Sequence, residues 1–378
     1  MFLKTKEPYQ LFFPLGFLWG FMGIGLWILF FFKFLSFYPR TFHAEIMMGG
    51  FYLTFATGFL MTAIPRMTGT NLASSTEKIT AFIIVVAAFL VSLREPRLYF
   101  YAALLLQALF LVFFGGRRFL KRTNSPPPAF VFVGAGFLGL IIGLILMMWG
   151  ESRLGALLFL YGGFLGPVLG IGSFLIPMIL GNPVPANTCS SNGQAAGKNC
   201  PKRKLILSLG LILFLFVSFY LEAKGIIRSA YLLRASVVSF VLLKNFRILK
   251  KPTNSGMLAW ILQISCWALL VGFWPSVLWP SLALHFNHII FIGTVSLMIF
   301  GVITRVSLAH GGFGFEPEKK SRALMMVLIF LLAALLMRVM APFFPQVYFS
   351  HLAYASIFWI LAAFIWLARF IRCLLKNH

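Results

Sequence analysis

The sequence predicts an all-α, polytopic membrane protein of about twelve spanning helices with both termini in the cytoplasm. Three observations lead there. Hydrophobic residues make up 60% of the 378 and charged residues only 11%, with a mean hydropathy of +0.93, whereas globular chains are about 45–50% apolar and about 25% charged. The apolar residues fall in continuous runs of spanning length rather than in period-two alternation. That selects helices over a barrel, the two structures that satisfy every backbone group in lipid. The third observation is charge. The 32 Lys and Arg against eight acids, all glutamate, gather in short links beside the apolar runs, as membrane orientation requires. The basic balance therefore reports topology rather than nucleic-acid binding.

Taken in order, the first run, 11–36, is too long for a signal-peptide core and lacks a small-residue cleavage site, so it reads as a retained span. The others follow at 44–65, 79–93, 98–114, 128–149, 154–181, 204–221, 226–243, 257–274, 282–303, 323–341 and 348–370. The third is short and the eighth carries Arg234. Cations crowd every second link: Arg117, Arg118, Lys121 and Arg122; then Lys198, Lys202, Arg203 and Lys204; then Lys244, Arg247, Lys250 and Lys251; then Lys319, Lys320 and Arg322. The intervening links are poor in cations. Twelve spans place both termini on one side, and the positive-inside rule makes that side cytoplasmic. Two links rich in Pro, Asn, Ser and Gly stand out, TNSPPPA from Thr123 and the polar loop 182–203. The second divides a single transmembrane domain, 1–378, into six-helix halves at about 1–181 and 204–378, with no convincing internal repeat between them.

Four cysteines, Cys189, Cys200, Cys266 and Cys373, show neither CxxC nor Cys-His spacing, so no zinc site or disulfide framework is expected. The histidines are more informative. His43 opens the second span, His285 and His288 open the tenth, and His351 opens the twelfth, so four of six converge on the outer side. Only His310 and His378 fall on the other side. Ionisable groups at the edge of hydrocarbon are costly and usually have a job, and neutral imidazole offers a metal a lone pair without burying a charge. His43, His288 and His285 are therefore candidate ligands, with Glu45 two residues from His43 as a further donor or an orienting group. His285 can equally be an orienting partner. Met47, one turn below His43, and Met48 offer thioether sulfur, although methionines more often pack. The span-end position of His351 favours an interfacial role.

Arg338, near the outer end of the eleventh span, carries a planar fork suited to a carboxylate. Arg305 and Arg66, at the inner ends of the tenth and second spans, offer an alternative anion site. In the sixth span Gly162, Gly166 and Gly170 recur every four residues and line up one smooth face for close helix packing.

FHAEIMMGG with GFLMTAIPRMTG, and ALHFNHIIFIG with GVITRVSLAHGG, resemble the two signature regions of the NnrS family, bacterial multi-span membrane proteins described as containing haem and copper and linked to nitric oxide handling. His43, Gly50, Gly58, Thr62 and Pro65 match the first signature, with Thr68 and Gly69 behind them. His288, Gly293, Thr304, Arg305 and His310 match the second. The family usually reads His-Ala-His-Glu-Met in the first signature. Here the second His is Glu45 and the Glu is Ile46, and Arg66-Met67 replaces the usual Asn-Trp. The resemblance implies a bacterial inner-membrane protein that binds or detoxifies nitric oxide or protects iron centres from it. Haem would be its cofactor, with copper as a second possibility. Signature matches and residue chemistry together make His43, His288, His285, Arg338 and Arg305 the candidate cofactor-binding residues, with His285 extra to the family pattern and the fork of Arg338 suited to a haem propionate.

Two other classes compete. Twelve helices in two halves is a common secondary-transporter layout, but ion-coupled transporters place carboxylates or broken helices near the midplane, and this chain has no Asp and its membrane-facing glutamates, Glu45 and Glu222, lie at span ends. Electron transfer with a quinol would call for histidine pairs thirteen or fourteen residues apart on one span, and no such pair occurs.

Overall fold

The computed structural model describes residues 7–94, 97–124, 127–150, 152–183 and 200–375. Most of the polar loop 182–203, with Cys189, lies outside them, as does His378. Among the described residues there are no strands and twelve long helices. They are α1 (Pro8–Phe31), α2 (Arg40–Thr68), α3 (Ser75–Ser92), α4 (Arg97–Leu120), α5 (Pro128–Met148), α6 (Arg153–Ile179), α7 (Cys200–Ala223), α8 (Ile227–Val241, extended by a π-turn at Leu242–Phe246), α9 (Met257–Leu278), α10 (Pro280–His310), α11 (Glu316–Phe343) and α12 (Pro345–Leu375). Eleven are long and apolar enough to cross a membrane.

The twelfth helix, α8, falls short because it carries Arg228, Arg234 and Lys244. Its buried Arg234 donates to Glu222 of α7 at 2.6 Å and lies over the ring of Phe219 at 4.6 Å. A charge inside a bundle is tolerated when it is paired and hydrogen-bonded. The cation of α8 is thus neutralised by its neighbour.

The hydrogen bonds show a pattern that recurs every four helices. At the end of α2, Gly69 takes φ +66°, and the carbonyl of Thr68 accepts from the amides of Thr123 at 2.9 Å and Asn124 at 3.3 Å. At the end of α6, Gly181 takes φ +76°, and the carbonyl of Leu180 accepts from Thr253 at 2.9 Å and Asn254 at 3.3 Å. The link after α4 therefore docks on α2 as the link after α8 docks on α6. In the same register, Thr70 bonds back to Pro65, Asn182 to Pro177 and, after α10, Phe313 to Leu308 beside Gly312 at φ +67°. Helices α2, α6 and α10 also each contain a π-turn towards the histidine-bearing end, at Ile46–Tyr52, Leu158–Gly162 and Phe291–Ser296. The bundle is three four-helix units, α1–α4, α5–α8 and α9–α12, and α12 packs back along α1 to close it. The second helix of each unit, α2, α6 and α10, is the most enclosed.

The glycine face of α6 meets a matching one on α5. A Cβ at Gly136 would sit 2.7 Å from the Cα of Gly166, and one at Gly170 would sit 2.8 Å from Cγ2 of Val133. Backbones approach this closely only without side chains between them. Gly136→Val should therefore destabilise the bundle by about 1–3 kcal/mol, the usual cost of overpacking, and lower the thermal midpoint in detergent. An unchanged midpoint would show that α5 and α6 separate freely.

Candidate functional site

The site lies at the histidine-bearing ends of α2 and α10, where the two π-turns begin. On α2, the Nδ1–H of His43 donates to the carbonyl of Gly23 on α1 at 2.8 Å. On α10, the Nδ1–H of His288 donates to the carbonyl of Leu284, one turn back, at 2.9 Å. A carbonyl only accepts, so the nitrogen facing it carries the proton and the neutral ring keeps its lone pair on Nε2. Both histidines are thus fixed in the tautomer that presents Nε2, the orientation that ligating imidazoles acquire from a backbone acceptor. His288 lies within electrostatic range of His43, His285 and Arg338. The structure therefore brings these four residues together.

His285 stands differently. Nη1 of the buried Arg338 donates to its Nδ1 at 2.7 Å. Guanidinium has no acceptor, so Nδ1 of His285 carries the lone pair and that pair is already engaged. In this arrangement His285 orients Arg338. Around them stands an aromatic rim: Trp27 lies 5.6 Å from the His43 ring and 5.5 Å from Tyr38, and Tyr348 lies 5.9 Å from His285. Tyr38, in the link between α1 and α2, is hydrogen-bonded to Tyr348. Burial, then Tyr348, hold its hydroxyl above the ordinary phenol range against the opposing pull of Arg338 and Arg40. It stays protonated at neutral pH and remains a donor.

Arg338 is the electrostatic anomaly of the site. Its surroundings are His285, Tyr38, Tyr348 and a second cation, Arg40. Of the eight glutamates, Glu95 and Glu151 lie outside the described residues. The others pair elsewhere: Glu7 with Arg66, Glu45 with Arg97, Glu77 with Arg118, Glu222 with Arg234, Glu318 with Arg305 and Glu316 with Lys319. A buried guanidinium facing neutral groups and another cation, with no described carboxylate beside it, is the chemistry of an anion site.

The remaining sequence candidates lie apart from this cluster. Glu45 is two residues from His43, about 200° round the helix. It accepts from the Tyr101 hydroxyl of α4 at 2.5 Å and faces Arg97 at 3.8 Å. Arg305 sits 17 residues beyond His288, roughly 25 Å along the helix, paired with Glu318 and stacked on Phe315 at 4.4 Å. At that same end Arg66 pairs with Glu7 at 3.3 Å, and the His310 ring lies 6.2 Å from Tyr9. Both arginines of the alternative anion site already have carboxylates. The His351 ring stacks on Phe344 at 5.4 Å. Met47 sulfur packs on Gly23, where an added Cβ would meet it at 2.8 Å. Among the described residues, no three His, Cys, Asp or Glu side chains gather as a metal-holding set.

A family model, NnrS protein, matches residues 5–378. The chain belongs to the NnrS family. Comparison with curated proteins returns no match. The NnrS signatures fall where the geometry is most constrained. The first runs through His43 and the π-turn of α2 to the Gly69 cap, and the second runs through His288 and the π-turn of α10 to Gly312. Sequence reasoning missed Trp27, Tyr38, Tyr348 and Arg40, which read as ordinary interfacial residues. It also missed the Gly23 carbonyl, which no side-chain pattern announces.

Proposed function

We propose that this protein is a haem-binding membrane protein of the nitric oxide response, with the haem held at the ends of α2 and α10. The observation that carries the reading is the pair of imidazoles, His43 and His288, whose Nδ1 atoms are tied to backbone carbonyls. An imidazole Nε2 lone pair is the donor that would hold a haem iron, and His43 and His288 each present one. Arg338, lacking a described carboxylate, fits a propionate, with His285 holding its fork in place. When bound, haem supplies an iron that takes nitric oxide as a ligand. The chain's own part is to orient the two imidazoles, to neutralise an anionic substituent and to close the site with Trp27, Tyr38 and Tyr348.

The described residues do not fit a separate copper centre: among them no third donor joins the histidines, and Glu45 is engaged by Tyr101 and Arg97. Transport of a small solute gains no support either, since each described glutamate is already paired with a cation. The test is the optical spectrum and iron content of protein purified in mild detergent from haem-sufficient cells. A Soret band with near-stoichiometric iron is expected, and a folded, colourless protein would overturn the reading.

We place the protein in the bacterial inner membrane with the histidine-bearing end outward, because the arginine- and lysine-rich links lie at the opposite end. Reporter fusions at Lys121 and Lys320 should report cytoplasm and one at Pro275 the outer side. If Pro275 and Lys320 report the same side, that orientation is wrong.

A further inference from the structure

Deeper along the same helices than the histidines, α2, α6 and α10 line a partly open cavity of about 100 Å³. Its walls include Tyr52 and Ala56 of α2, Ile171 and Leu175 of α6, and Val295 and Ile299 of α10. Tyr52 follows His43 by nine residues and Val295 follows His288 by seven, which puts the cavity roughly 10–15 Å deeper along both helices. The same two helices therefore carry the imidazoles at one level and the cavity wall at the next.

We propose that this cavity is a binding site for a small, uncharged, apolar molecule of diatomic-gas size, held on the path between the membrane interior and the histidine pair. Three physical arguments support that occupant. The lining is almost wholly hydrocarbon, and water needs two to four polar partners to occupy a buried site, so apolar cavities of this kind stay dry and take up xenon or apolar solutes. The volume is well below the roughly 300–1,000 Å³ of pockets for drug-sized ligands. And such a molecule dissolves in the bilayer, so it needs no polar channel to arrive. The identity of the occupant as nitric oxide rests on the function proposed above; the cavity's affinity for an apolar gas does not.

Xenon tests the two separately. Crystals of the full-length protein pressurised with xenon should show one strong peak between α2, α6 and α10. Ala56→Phe and Val295→Phe fill the space from two different helices, so each should remove the peak. Each should also slow nitric oxide association several-fold while leaving haem content and absorption unchanged. Two substitutions guard against one that fails to fold, and the wild-type xenon experiment needs neither. Absence of xenon, a lipid or detergent chain filling the space, or unaltered association in both filled variants would overturn the proposal. Xenon at the site in a protein without haem would uphold the gas site and reject the haem reading.

Discussion

His43→Ala and His288→Ala should each strip most of the haem from the purified protein. Each substitution removes one imidazole nitrogen that would hold the iron, already oriented by its backbone acceptor at 2.8 Å or 2.9 Å, and no described neighbour stands ready to replace it. His285 offers no substitute, because its lone pair accepts from Arg338. Glu45 is turned to the other side of α2. The expected signature is a lost or shifted Soret band and a fall in iron per protein, with the helical content intact. Tyr38→Phe provides the contrast: it deletes a rim hydroxyl and should leave axial ligation unchanged. If both His43→Ala and His288→Ala keep wild-type haem content and line shape, the haem lies elsewhere. The end bearing Arg66, Arg305 and His310 would then take precedence, although both of its arginines already have carboxylate partners.

The helices were legible in the sequence because lipid imposes one rule on every span: about 20 apolar residues with their backbone satisfied internally. In the eighth apolar run, which is a helix but not one of the eleven apolar enough to cross a membrane, the reason Arg234 is tolerated, Glu222 on the preceding helix, needed three dimensions. The convergence of His43 and His288 was legible too, since both open spans on the same side. What stayed hidden depends on register and tertiary contact. A π-turn adds one residue to a helical turn and has no compositional mark, so its change of register is invisible to a 3.6-residue count. The four-helix repeat is carried by backbone bonds from Thr123 and Asn124 to Thr68 and from Thr253 and Asn254 to Leu180. The polar loop 182–203 connects α6 to α7. Glu45, two residues from His43, points to the other side of α2 towards Tyr101 and Arg97, contacts that only the fold reveals.

Arg338→Ala should lower haem retention by roughly 10–100-fold, the usual effect of losing a residue that supports a cofactor without ligating its metal. The absorption line shape of the remaining haem should be unchanged. His285→Ala should act in the same direction and more weakly, by releasing the guanidinium it positions at 2.7 Å. Because the two residues form one unit, the double variant should be little worse than Arg338→Ala alone. The apo protein supplies a readout that a purely structural arginine would not give. A buried charge without a described carboxylate, beside a second cation, is a cost to the fold. Replacing it with Ala should therefore leave apo stability unchanged or raised, while the haem-bound form loses stability through weaker binding. If Arg338→Ala lowers the thermal midpoint of apo and haem-bound protein equally, Arg338 is a packing element of α11. The propionate would then need another partner, and Arg40, on the same rim, is the nearest cation by electrostatics.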